Sequence, residues 1–191
     1  MKPITRDEVL PLGEYERIRE HFRARVIAEK KLRRLGLGPH MTLVFESHDT
    51  ALMQVQEMLR TERITREAAI AHEIETYNDL VPGADELSAT VMIEIEDKDT
   101  RERFLKDALG IEDAFTLTLG AETSKGMVRA DRRLPDRASA VIYLKFPLGP
   151  AAKSALQAKG PAEIAVTHKA YQASASLPAT LLASLAADSD S

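Results

Sequence analysis

The stretch "LSATVMIEIE" (Leu87–Glu96) decides the fold class. Val91, Ile93 and Ile95 alternate with Thr90, Glu94 and Glu96, with Met92 the one apolar exception. A period of two is the pattern of a β-strand with one buried face. "AFTLTLG" (Ala114–Gly120) repeats it, setting Phe115, Leu117 and Leu119 against Thr116 and Thr118. "AVIYLKF" (Ala140–Phe146) is the most hydrophobic strand, and "AEIAVTHKAYQASASL" (Ala162–Leu177) reads as a strand or strand pair. Between them "KDTRERFLKDALG" (Lys98–Gly110) predicts a short amphipathic helix. "GPAAKSALQAKG" (Gly149–Gly160) predicts another, with Pro150 near its first position and Gly160 past its end. The charged "SKGMVRADRRLPDRAS" (Ser124–Ser139) reads as a hairpin or exposed loop. Pro178 opens a last helix that fades into "ADSDS" (Ala187–Ser191).

Upstream the periodicity changes to that of helices. Residues 7–35 read as helical, broken near Pro11-Leu12-Gly13 and ended by Gly36, with Ile18, Phe22, Val26, Ile27 and then Leu32 and Leu35 as the apolar face. "GLGPH" (Gly36–His40) stops and turns the chain, since glycine accepts the left-handed cap and proline forbids continuation. "MTLVF" (Met41–Phe45) predicts a short buried strand. Asp49 or Thr50 then caps a helix reaching Glu62, and Thr65 opens another reaching Asp79. Strands interspersed with helices of uneven length predict an α+β fold, with a mainly antiparallel or mixed sheet, one covered face and an N-terminal helical segment. We expect a single domain over 1–191, helix-rich in 1–85 and strand-rich in 86–191.

Composition narrows the function classes. The chain has 191 residues, 44% hydrophobic and 29% charged, with a net charge of −4. Cysteine is absent, which excludes disulfides, thiol nucleophiles and cysteine-held zinc or iron–sulfur clusters. No apolar run reaches membrane-span length, and "MKPITRDEVLPLGEYERIRE" has no signal-peptide core, so a cytoplasmic location is expected. Neither GxGxxG nor GxxxxGK[ST] occurs, which argues against the usual nucleotide cradles. Absent tryptophan and 5% aromatics argue against nucleic acid, as does the negative balance.

Charge is nevertheless uneven. "RIREHFRARVIAEKKLRR" (Arg17–Arg34) holds eight Lys/Arg against two Glu. Arginine forks suit carboxylate or phosphate recognition. The expected ligand surface therefore joins Arg23, Arg25 and Arg34, with Lys30 and Lys31, to Gln54, Glu57 and Arg60 on the following helix. The leading reading is an accessory or binding protein that recognises an anionic ligand or a partner protein, with no cofactor. The rival is a metal-dependent enzyme holding Fe, Mn or Zn through His40, Glu46, His72 and Glu75, with Glu57 as a further member and His48 as an alternative to His40. Known spacings do not support it: Ala69 stands where Glu-x-x-His requires glutamate, and Thr76 where His-Glu-x-x-His requires its second histidine. Elsewhere, Ser139 with His168 lacks a nucleophile elbow, and His168 is expected to make a structural hydrogen bond. Alternation in "AVIYLKF" points Lys145 away from the core.

The ordered segments "EYERIREHFRARVIAEKKLRRLGLGPHMTLVFE", "DTALMQVQEMLRTERI", "HEIETYNDLVPGADELSATVMIEI" and "SAVIYLKFP" resemble a bacterial family of uncharacterised proteins of this length, a domain of unknown function. The resemblance runs through the final "VTHKAYQASASL". It carries no assigned activity. It implies genes encoded near rubrerythrin-like and iron–sulfur proteins, hence a possible partner of that kind and a role beside redox or oxidative-stress chemistry. Where this chain has Ser47-His48, similar sequences carry other polar residues, which weakens His48 as an essential ligand. The size also admits a homodimer.

Overall fold

A computed structural model describes residues 1–188. The expected fading of the last helix into "ADSDS" falls partly outside the described residues, at 189–191. A 3-10 turn at Arg6–Glu8 precedes α1 (Leu12–Leu32), β1 (Arg34–Leu37), β2 (Met41–Phe45), α2 (His48–Thr61) and α3 (Glu67–Asn78). There follow β3 (Glu86–Ile93), α4 (Lys98–Asp107), β4 (Phe115–Leu119), β5 (Glu122–Lys125) and β6 (Val141–Pro147). The chain continues with α5 (Pro150–Gln157), β7 (Ala162–His168), β8 (Tyr171–Ser176) and α6 (Ala179–Asp188). The class is α+β, and every strand pairing is antiparallel.

The expected sheet is in fact two four-stranded sheets, ordered β1-β2-β3-β6 and β5-β4-β7-β8. Alternation builds their shared core. Leu43, Phe45, Val91, Ile93, Ile142 and Leu144 of the first sheet join Phe115, Leu117, Leu119, Ile164 and Val166 of the second. Each fully buried side chain of this size contributes about 1.5–3 kcal/mol. The helices α4, α5 and α6 close this core through Leu105, Leu156, Leu181 and Leu185. The other face of the first sheet is covered as well. A second cluster joins Ala51, Val55 and Leu59 of α2 to Ile70 and Ile74 of α3, with Tyr143 packed against it. Leu87 to Val91 are therefore buried on both faces, not on one.

Two contacts join the sheets at their edges. Met127 and Lys145 exchange backbone hydrogen bonds of 2.8 and 2.9 Å beside β5 and β6. At the other edge the Tyr171 hydroxyl donates to the Leu37 carbonyl at 2.7 Å and accepts from the His40 amide at 3.2 Å. Gly38 turns this corner at φ +71°, and a Cβ there would stand 2.4 Å from the Tyr171 hydroxyl. Only glycine meets both demands.

The N-terminal helix is shorter than its periodicity predicts. It stops at Leu32, and Arg34–Leu37 is a strand in register with β2, Leu35 opposite Leu43 and Leu37 opposite Met41. Leu32, expected on the apolar face, is 52% exposed, as are Ile18 (46%) and Ile27 (39%), while Val26 is buried. Burial of Leu37 and the chance to complete a sheet edge outweigh helical continuation. The cap of α2 is Ser47, upstream of the expected Asp49 or Thr50: Ser47 accepts from the Thr50 amide at 3.2 Å while Thr50 Oγ1 accepts from the Ser47 amide at 2.8 Å.

Candidate functional site

The junction of α1 and α2 is built around Glu57. Tyr15, Arg19 and Arg23 recur every four residues and so share one face of α1. The Tyr15 hydroxyl donates to Glu57 Oε1 at 2.7 Å, and Arg19 engages both carboxylate oxygens at 2.8 and 2.9 Å. Arg23 Nη1 adds a bond to Oε2 at 2.8 Å. The Arg19 hydrogen bonds, helped by Tyr15 and by the charge of both arginines, outweigh partial burial and hold the Glu57 carboxyl down at about 2. Burial and the same carboxylate push the Tyr15 phenol well above its ordinary value. Glu57 is thus a saturated acceptor and a clasp between two helices.

The other predicted arginines each have an internal partner. Arg25 pairs with Asp49, Arg34 Nη2 with Glu94 at 3.0 Å, and Arg60 Nε with Glu16 at 3.5 Å. Arg60 therefore faces Glu16 and not Glu57, its neighbour at i−3. Gln54 lies half-buried on α2 and makes none of the clasp bonds. Five of the eight basic residues of the Arg17–Arg34 stretch are in ion pairs, since Arg33 is held by Asp188. Among the described residues Arg17, Lys30 and Lys31 have none.

The metal-reading residues fall apart in space. Glu46 is buried beneath α2, accepting from Thr50 Oγ1 at 2.5 Å and Thr90 Oγ1 at 2.6 Å. His40 sits at the β1–β2 corner beside the rings of Phe104 and Tyr171, with centroids 6.0 and 6.1 Å away. His72 and Glu75 are exposed on α3. Among the described residues no three His, Asp or Glu side chains converge as metal ligands. His48 does lie in an acidic cleft of about 460 Å³, 3.1 Å from Glu8 and 3.6 Å from Asp49, with Glu29 and Asp188 on its walls. His168 accepts from the Ala170 amide at 3.2 Å, the structural bond its hairpin position predicts. Lys145 faces away from the shared core, where Nζ donates to the Val81 carbonyl at 2.9 Å and to Glu86 at 2.5 Å.

Three features escaped the sequence reading. Tyr15 and Arg19 belong to the clasp, and their signal was the four-residue spacing they share with Arg23. Buried Arg33 grips Asp188 of α6 through two bonds of 2.6 and 2.7 Å, across 155 residues of chain, with no local signal. Gln56 and Asn78 each form a paired donor and acceptor contact to the N-terminal segment. Gln56 holds the backbone of Leu10, and Asn78 that of Ile4.

Among the described residues no helix is long and apolar enough to cross a membrane. The chain is similar to a crystal structure of a novel protein of unknown function from Burkholderia pseudomallei K96243. The two share 37% sequence identity and a TM-score of 0.92, over 98% of this chain and 99% of that one. Comparison with curated proteins finds no match. A family model described as "Protein of unknown function (DUF3501)" matches residues 3–189, and the chain belongs to that family.

Proposed function

We propose that the chain is an accessory binding protein that presents the outer face of α1 to an acidic surface of a partner protein. One observation carries the reading: of the 21 residues of α1, only Tyr15 and Val26 are fully buried. A helix so lightly embedded has its other faces free, and the Glu57 clasp fixes its orientation. The outward side holds Arg17 and Lys31 without ion pairs, with exposed Ile27 between them and half-buried Lys30 on the flank. Cations around an apolar residue suit an acidic partner surface with an apolar centre. The partner class proposed, on the resemblance alone, is a rubrerythrin-like or iron–sulfur protein, with a role beside redox chemistry.

The test is equilibrium binding of purified rubrerythrin-like and iron–sulfur proteins from the same organism to the intact chain. Arg17→Glu combined with Lys30→Glu and Lys31→Glu should weaken binding at least about tenfold, and added salt should weaken the wild-type complex. Binding by the triple variant equal to wild type, or no binding by either protein class, would overturn the reading.

A further inference from the structure

The charged loop between β5 and β6 roofs a small cavity with a chemistry of its own. The cavity measures about 230 Å³ and is lined by Glu112, Arg132 and Ser139, with Val128, Val141 and Tyr143 as its less polar walls. Glu112 is only 4% exposed. Its one hydrogen bond among the described residues is a long one, from the Ser139 amide to Oε1 at 3.4 Å. A carboxylate in so buried a residue normally collects two or more donors, and here Oε2 has none among the described residues while Glu112 lines the cavity. Neighbouring Arg133 does not supply them, since both its terminal nitrogens are held by Asp113 at 2.8 Å.

The opposite charge is on the same cavity. Arg132 stacks over the Tyr143 ring at 5.0 Å and spends Nη2 on Asp79 at 3.2 Å and the Thr76 carbonyl at 3.5 Å. Its Nη1 and Nε make no hydrogen bond among the described residues. The Ser139 hydroxyl accepts from the Val141 amide at 3.3 Å and keeps its proton free to donate. A buried acceptor and a fixed cation on one cavity, with apolar walls beside them, match a small molecule that carries both an ammonium and a carboxylate. A cavity of about 230 Å³ has room for a ligand larger than a single water.

We propose that this cavity binds a small aliphatic α-amino acid, its ammonium on Glu112 and its carboxylate on Arg132. The side chain then lies against Val128 and Val141. The site is separate from the outer face of α1 and stands or falls independently of the reading above.

Calorimetric titration of the intact chain with alanine, valine and threonine tests it, alongside isobutyrate, which lacks the ammonium, and isobutylamine, which lacks the carboxylate. At least one amino acid should bind at a single site at millimolar concentration or below, about tenfold more tightly than either one-ended analogue. The isosteric Glu112→Gln and the uncharged Arg132→Gln should each cost about tenfold or more. No binding by any of the three amino acids overturns the proposal. So does an analogue that binds as tightly as the zwitterion, an outcome read on wild-type protein even if a variant fails to fold. Amino-acid binding unchanged in both variants would place the ligand elsewhere and also overturn it.

Discussion

Glu57 shows how one side chain can set the position of a helix. Four donor contacts from three residues of α1 converge on its carboxylate, and they hold its proton affinity far below that of a free glutamate. A lowered carboxyl pKa contributes stability above its unfolded value, and that contribution disappears as pH falls through the folded value. The window here runs from about 4.5 down to about 2. The effect should be on the order of 1–2 kcal/mol, because solvent reaching the carboxylate screens part of it. Glu57→Gln should lower urea stability by about that amount at pH 7, with a shallower loss of stability than wild type between pH 4.5 and 2. Equal acid sensitivity in both proteins would remove the clasp from the account. Gly38→Ala is expected to cost about 2 kcal/mol, since it combines a positive φ with a Cβ set against the Tyr171 hydroxyl. A chemical denaturation midpoint unchanged from wild type would contradict that. The Glu57 contacts were only half readable from sequence. A four-residue spacing marks Tyr15, Arg19 and Arg23 as one face, but their acceptor lies 34 to 42 residues away.

Among the elements, local periodicity located β3 and β4 but misjudged β3 as buried on one face, and it failed where the pattern was coincidental. The alternation of Phe115–Leu119 and the Pro150 start of α5 appear where the residues place them. Leu32 and Leu35 mimic a helical stripe, yet one is exposed on α1 and the other pairs with Leu43 in β1. No rule of spacing could resolve this, because the deciding contacts are with β2 and with α6. Arg33, at the helix-to-strand junction, is buried and held by two bonds to Asp188 at the end of α6. Removing one partner of a buried pair commonly costs about 3–5 kcal/mol. Glu29 at 3.0 Å remains as a second partner, so Asp188→Asn should cost less, about 2 kcal/mol. Hydrogen exchange should show the loosening at both α6 and the α1–β1 junction. Loosening confined to α6 would show that the pair does not couple the two elements.

For the whole molecule, two antiparallel sheets share one core, while a separate helical cluster covers the outer face of the first. The α+β class followed from the strand patterns, but the division into two sheets did not, since it depends on which edges meet. The same limit applied to the candidate surface. Arg23, Arg25, Arg34 and Arg60 are each paired with an internal carboxylate. The free positive charge has moved to Arg17, Lys30 and Lys31, and α1 is the element that displays it. Because the chain contains no cysteine, one introduced thiol can be labelled uniquely. Ala24→Cys, between Arg17 and Lys31 on the exposed side of α1, carries an environment-sensitive fluorophore, and Ala71→Cys on exposed α3 serves as the control. Titration with the rubrerythrin-like and iron–sulfur proteins should shift emission at position 24, reversibly with salt, and leave position 71 unchanged. A saturated complex with no shift at position 24, or with a shift at position 71 alone, would contradict the assignment of α1 as the binding face.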